Sequence, residues 1–188
     1  MIRSLAKHCQ NLQKLNVEFI SYYEPAYDAS LSESDLNSDI ITREIGIPKL
    51  SILSISNLNN KYEHRHMNIG QFKSDLKLLI SNTNIQSLSL NGLTELENEY
   101  FAELFTTPAQ VNFRKSPNFE LMIDSIEFME FVEIDNLTAG LFRQILINPS
   151  NSLKKLSLNN CKLISKKNYI EMTKLVKIKN IDCQINWT

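Results

Sequence analysis

One spacing of apolar residues recurs along the chain: apolar-x-x-apolar-x-apolar-x-x-apolar. Leu12, Leu15, Val17 and Ile20 satisfy it, as do Leu50, Leu53, Ile55 and Leu58, and then Ile85, Leu88, Leu90 and Leu93. Met129, Val132, Ile134 and Leu137 follow, and then Leu153, Leu156, Leu158 and Cys161. A sixth copy, MTKLVKIKNI, keeps Val176, Ile178 and Ile181 but has Thr173 in first place. VEIDNL and VKIKNI also share an Asn before the last apolar residue. The middle of the frame, x-apolar-x-apolar-x, predicts a short strand whose alternate side chains face opposite sides. One such strand cannot enclose its apolar side alone, so successive units are expected to stack and share an interior.

Between the strands the period changes from two to that of a helix. Ile69, Phe72, Leu76, Leu79 and Ile80 form one stripe over residues 69–81. Apolar stretches that stop at Pro108 and Pro149 repeat the arrangement. Strand, turn, helix, turn is therefore the expected unit. The central positions Val17, Ile55, Leu90, Ile134, Leu158 and Ile178 lie 38, 35, 44, 24 and 20 residues apart. The last two intervals match a repeat of about 20–29 residues, and the longer ones require insertions. Residues 21–40, Ser-rich and acidic, read as an exposed loop insertion, and KYEHRHMN (61–68) as another. Residues 106–120 are a candidate degenerate repeat around Val111 and Phe113.

The two cysteine-bearing copies, SLAKHCQNLQKLNV and SLKKLSLNNCKLIS, resemble the cysteine-containing, ribonuclease-inhibitor-like leucine-rich repeats of F-box substrate receptors and related eukaryotic proteins. The resemblance rests on Cys9 ahead of Leu12 and Leu15, and on Cys161 where other subclasses carry Asn. It implies an α/β fold: a right-handed leucine-rich-repeat solenoid, a horseshoe segment with a parallel concave sheet and helices on the convex side. On the same resemblance, residues 1–188 are expected to form one such domain. The chain opens inside a repeat and stops just past the last one, so it is expected to be a fragment of a longer solenoid. The resemblance further implies a non-catalytic interaction module that holds a protein partner on its concave face. With an F-box upstream, that module is the substrate-recognition part of a ubiquitin ligase, and ligase components join the expected partners. The alternative it implies is an inhibitor or regulator lying over an enzyme's active site.

In the strand reading, the outward positions lie on the concave face. They run Lys14, Asn16, Glu18; Ile52, Ser54, Ser56; Ser87, Ser89, Asn91; Phe131, Glu133, Asp135; Lys155, Ser157, Asn159; and Leu175, Lys177, Lys179. An aromatic ring beside two carboxylates, followed by basic copies, is the kind of anchor interfaces use. The expected partner-binding residues are therefore Phe131, Glu133, Asp135, Lys155, Ser157, Asn159, Lys177 and Lys179.

Composition narrows the rest. With Lys+Arg 20 against Asp+Glu 21, the net charge of −1 argues against a general nucleic-acid binder. The distribution is uneven: residues 95–135 hold ten acidic and two basic side chains, residues 150–188 eight lysines and two acids. No aromatic platform interleaves those lysines, so no nucleic-acid partner is expected. No apolar run approaches membrane-spanning length and no signal peptide is evident, so no membrane partner is expected either. Three widely spaced cysteines fit a reducing compartment, cytoplasmic or nuclear. Glu63, His64 and His66 lack further ligands nearby to complete a metal site, and no phosphate loop, GxSxG or HExxH is present. No enzyme activity, metal or cofactor is expected.

Overall fold

The computed structural model describes residues 8–9, 11–19, 47, 49–57, 69–81, 83–107, 120–121, 125–147 and 152–188. In chain order these give β1 (Lys14–Phe19), β2 (Ile52–Asn57), α1 (Ile69–Ser81) and β3 (Ser87–Asn91). Then come α2 (Asn98–Phe105), β4 (Thr106–Thr107), β5 (Glu120–Leu121) and β6 (Phe128–Val132). The chain closes with α3 (Ala139–Ile147), β7 (Lys155–Asn159), α4 (Lys166–Ile178) and β8 (Gln184–Trp187). The fold is α/β, built on one six-stranded, all-parallel sheet in the order β1-β2-β3-β6-β7-β8. β4 and β5 pair separately as a short antiparallel ladder. The loop insertion at 21–40, KYEHRHMN, the repeat proposed around Val111 and Phe113, and the stops at Pro108 and Pro149 lie outside the described residues.

Strand order never reverses. Parallel neighbours need a crossover, and crossovers share one hand, so an order that only advances puts the described helices on the same side. Burial agrees. Leu15 and Val17, Leu53 and Ile55, Leu88 and Leu90, Met129 and Phe131, and Leu156 and Leu158 are buried in one cluster with the inner stripes of the helices. α1 supplies Phe72, Leu76, Leu79 and Ile80, the stripe read from the sequence. The intervening strand residues face the other way and stay exposed or half-buried, apart from Ser157.

The turns repeat as closely as the strands. α2, α3 and α4 each begin seven residues after the last residue of the preceding strand. In all three turns the first residue past the strand has positive φ: Gly92 (67°), Glu133 (53°) and Asn160 (54°). The N–H of each donates to the neighbouring chain segment, at Val132 O, Asn159 O and Thr188 O, all 2.9 Å away. Four residues further on, Leu96 and Ile164 donate their N–H back to Leu93 O and Cys161 O. Side chains tie one turn to the next: Asn136 Nδ2 donates to Thr94 O (2.9 Å), and Thr138 Oγ1 to Asn98 Oδ1 (2.9 Å).

Two of the six expected rungs are misplaced by the sequence reading. The fourth strand is three residues earlier, with Ile126, Met129, Phe131 and Ile134 in the frame, and Phe131 pairs with Leu90 and Leu158. Phe131 is therefore a core residue at 0% exposure, not a concave-face anchor. It meets Phe142 of α3 at 5.3 Å and Phe105 and Phe101 of α2 at 6.0 and 6.2 Å, mostly edge to face. Glu133 sits in the turn at positive φ, and Asp135 beyond it pairs with Lys162. The sixth copy is not a strand at all. MTKLVKIKNI lies in and just after α4, which buries Met172 and Val176 at helical spacing and leaves Ile178 79% exposed. Lys177 is in its last turn and Lys179 is its C-cap, so neither they nor Leu175 belong to the sheet. The sixth rung is β8, where Ile185 and Trp187 pair with Leu156 and Leu158.

Ser165 and Asn168 start α4 with a reciprocal capping box. The last rung is pinned by Trp187, whose Nε1 donates to Ile164 O at 2.9 Å and whose ring stacks on Tyr169 at 5.8 Å.

Three substitutions test this account. Phe131→Ala empties the centre of a four-ring cluster and is expected to cost about 3–5 kcal/mol, read from the urea midpoint. In the turns, Gly92→Ala is expected to destabilise by about 1 kcal/mol, whereas Glu133→Gly, which removes left-handed strain, stabilises by roughly 0.5 kcal/mol. Equal effects at both positions would contradict the shared turn geometry.

Candidate functional site

The register sets three rows of side chains across the face of the sheet that none of the described helices covers, the uncovered face. The first runs Lys14, Ile52, Ser87, Phe128, Lys155, Gln184. The second runs Asn16, Ser54, Ser89, Glu130, Ser157, Asn186, and the third Glu18, Ser56, Asn91, Val132, Asn159. Adjacent members are about 4.8 Å apart, and the backbone ladder beneath holds them there. The strand side chains present this face because their neighbours on each strand are committed to the core.

Side-chain size gives the face its relief. β6 offers Phe128, Glu130 and Val132, which stand between short residues: Ser87, Ser89 and Asn91 on one side, Ser157 and Asn159 on the other. Ser89 Oγ donates to Glu130 Oε2 at 3.0 Å, which fixes that carboxylate over the β3 floor. At the far edge, Gln184 Nε2 donates to Asn186 Oδ1 (3.1 Å) and Thr188 Oγ1 to Asn159 Oδ1 (3.0 Å). Two large apolar side chains are left in water on the first row, Ile52 at 39% and Phe128 at 44% exposure. They stand about 10 Å apart across Ser87, with Lys14 outside one and Lys155 outside the other.

Of the eight residues expected to bind a partner, Lys155, Ser157 and Asn159 are on this face, side by side on β7. Phe131, Glu133, Asp135, Lys177 and Lys179 are not, for the reasons of register and helix given above. Phe128, Glu130 and Val132 take the places assigned to Phe131, Glu133 and Asp135. Ile126, three residues before Met129, was the sequence signal for that earlier frame.

Chemically the face offers hydroxyls, amides, four charged groups and two apolar anchors. The ionisable groups with displaced pKa values lie elsewhere. Burial, then the charge of Glu103, raises Tyr100, whose hydroxyl donates to Lys73 O. Burial is also the first cause of the raised pKa of Cys161, and it pushes Cys183 to about 11, helped by the charge of Asp182. A thiol held protonated in this way is a packing group and a poor nucleophile. Among the described residues no group of three or more His, Cys, Asp or Glu side chains is placed to hold a metal ion. No described helix is long and apolar enough to cross a membrane. Glu63, His64 and His66 lie outside the described residues. Comparison with known proteins finds no matching family model, no matching curated protein and no matching solved structure.

The thiols supply a prediction. At pH 8, Cys161 and Cys183 are expected to resist iodoacetamide in the native chain and to react on unfolding, as peptide mass mapping would read. Folding raises both pKa values, so the unfolded chain loses these protons first. Their contribution to stability is complete below pH 9 and falls as the pH climbs towards 11. Native alkylation as fast as in urea would contradict the packing described.

Proposed function

We propose that this chain is a leucine-rich-repeat solenoid segment that acts as a non-catalytic interaction module, holding a protein partner on the uncovered sheet face. The observation that carries the reading is the pair of exposed anchors, Ile52 and Phe128, held on a rigid parallel ladder between Lys14 and Lys155. Large apolar side chains left in water amid short polar ones are the usual core of an interface, and charges at its rim set orientation. Because the backbone beneath is already ordered, little conformational freedom is lost when a partner docks.

The equivalent turns, the single strand order and the single helix layer support the solenoid part of the reading. The ribonuclease-inhibitor-like repeats of Cys161 and its neighbours support the family part. On that resemblance the module is the substrate-reading portion of an F-box-type ubiquitin ligase, working in the cytoplasm or nucleus, where its three free thiols persist.

The test is quantitative affinity capture with the whole chain, comparing wild type with Ile52→Glu/Phe128→Glu and with an exposed turn control, Lys49→Glu. The face variant is expected to lose specific partners at least tenfold (about 1.4 kcal/mol or more), while the control retains them. An identical set of partners with all three proteins would overturn the assignment of this face.

A further inference from the structure

Over α2, α3 and α4 the helix layer on the other side of the sheet runs from acidic to basic, while α1, beyond α2, carries Lys73 and Lys77, the latter paired with Glu103. α2, α3 and α4 are successive neighbours and begin at the same level, seven residues after their strands. On the first outward position of each, Glu99, Gly140 and Lys167 follow one another, all exposed. Glu97 adds to the acidic side of the layer, and Lys166, Lys174 and Lys177 to the basic side. The middle helix presents Gly140, Gln144 and Ile147, while its Arg143 is taken by Glu171 of α4.

Two features of α4 are costly in an isolated chain. Lys166 and Lys167 occupy its first turn, where the helix dipole disfavours cations and no acidic residue compensates. Ile147, Ile170 and Ile178 lie open on this layer at 54%, 41% and 79% exposure. An acidic surface answers the first, and the chain carries one itself on α2, two helices away; an apolar side chain answers Ile147 of α3, and a second Ile147 is one.

We propose that a second copy of this chain docks on the helix layer about a two-fold axis lying in the interface along α3. That axis sets α3 against α3 and brings Ile147 of the two copies together. It also places α2 of each copy against α4 of the other. Helix directions are preserved by the rotation, so the first turns stay level and Glu97 and Glu99 meet Lys166 and Lys167 twice. A two-fold axis across the helices would instead oppose like charges. Three helices at 8–10 Å spacing give roughly 500 Å² per copy, at the low end for a specific contact, so the dimer is weak and salt-sensitive. The uncovered sheet faces point outward from such a pair, and the inference stands apart from the function proposed for them.

The experiment is sedimentation equilibrium of the full chain at about 20 mM and about 500 mM salt. A dimer with a dissociation constant on the order of 10–100 µM is expected at low salt and a monomer at high salt. Glu97→Lys/Glu99→Lys and Lys166→Glu/Lys167→Glu are each expected to be monomeric alone and to form a one-to-one dimer when mixed. Circular dichroism checks both folds. The glutamates of the second variant sit favourably at a helix N-terminus, so that variant keeps the test alive if the first misfolds. Ile147→Asp, felt twice at the axis, is expected to abolish the dimer. A monomer at every salt, a dimer indifferent to charge reversal, or folded variants that stay monomeric when mixed would each overturn the proposal.

Discussion

At the mouths of β1, β2, β3 and β6 one carbonyl accepts two N–H groups from the next strand segment, and this small fork fixes the sheet. Gln13 O receives Ser51 and Ile52, and Ser51 O receives Gln86 and Ser87. Gln86 O receives Glu127 and Phe128, and Glu127 O receives Lys154 and Lys155, all at 2.8–3.1 Å. Each fork forbids a one-residue slip, and a slip would exchange core and water for every side chain on the strand. Register so fixed puts Leu and Ile of successive strands in one interior and Ser and Asn in one exposed floor. The candidate face is thus a by-product of backbone hydrogen bonding plus alternation, and its rigidity has the same origin.

The second requirement is that strand ends turn identically, since seven residues must carry the chain from sheet to helix layer each time. The left-handed residue at Gly92, Glu133 and Asn160 does this, and its N–H extends the ladder one bond beyond the strands. Gly and Asn adopt that conformation readily, whereas Glu does so under strain. The strain is tolerated at Glu133 because the turn is tied on both sides: to Asn159 by its own N–H, and to the preceding turn through Asn136 and Thr138.

That strained glutamate also explains what the sequence concealed. Four frames were legible from apolar spacing, and in two of them the strand end is marked again, because SLSLNGL and SLKKLSLNNC end a strand on Asn followed by Gly or Asn, a signature of the left-handed turn. In the fourth copy the signature is absent where it belongs, at Val132-Glu133, and is imitated three residues later by Asp135-Asn136. Asn136 is not a strand end; its amide bonds sideways to Thr94 and Leu96. The same imitation misplaced the sixth copy. Asn180 is left-handed (φ 52°), but it ends α4 and precedes the last strand. Val176 satisfies a helical stripe with Met172 as well as a strand frame with Ile178, a common ambiguity of short apolar runs. Helix α1 carried no such ambiguity, having a 13-residue stripe with no competing period.

The misplaced registers moved the candidate anchor from Phe131 to Phe128 without changing the kind of face. A shift of three residues along a strand reverses side-chain direction, so the ring first read as outward is the centre of the aromatic cluster. Its buried place ties α2 and α3 to the middle of the sheet, beside the acidic α2 and one helix from the basic α4. A chain built this way has two surfaces of different origin. The sheet face is dictated residue by residue through backbone register, and it suits a partner read through fixed positions. The helix layer is constrained only on its inner stripe, so its outer charges are free to vary, and an ordered acidic-to-basic gradient there is not a consequence of folding. What folding leaves undetermined is where selection by an interaction partner can act, which is why the gradient points outside the single chain.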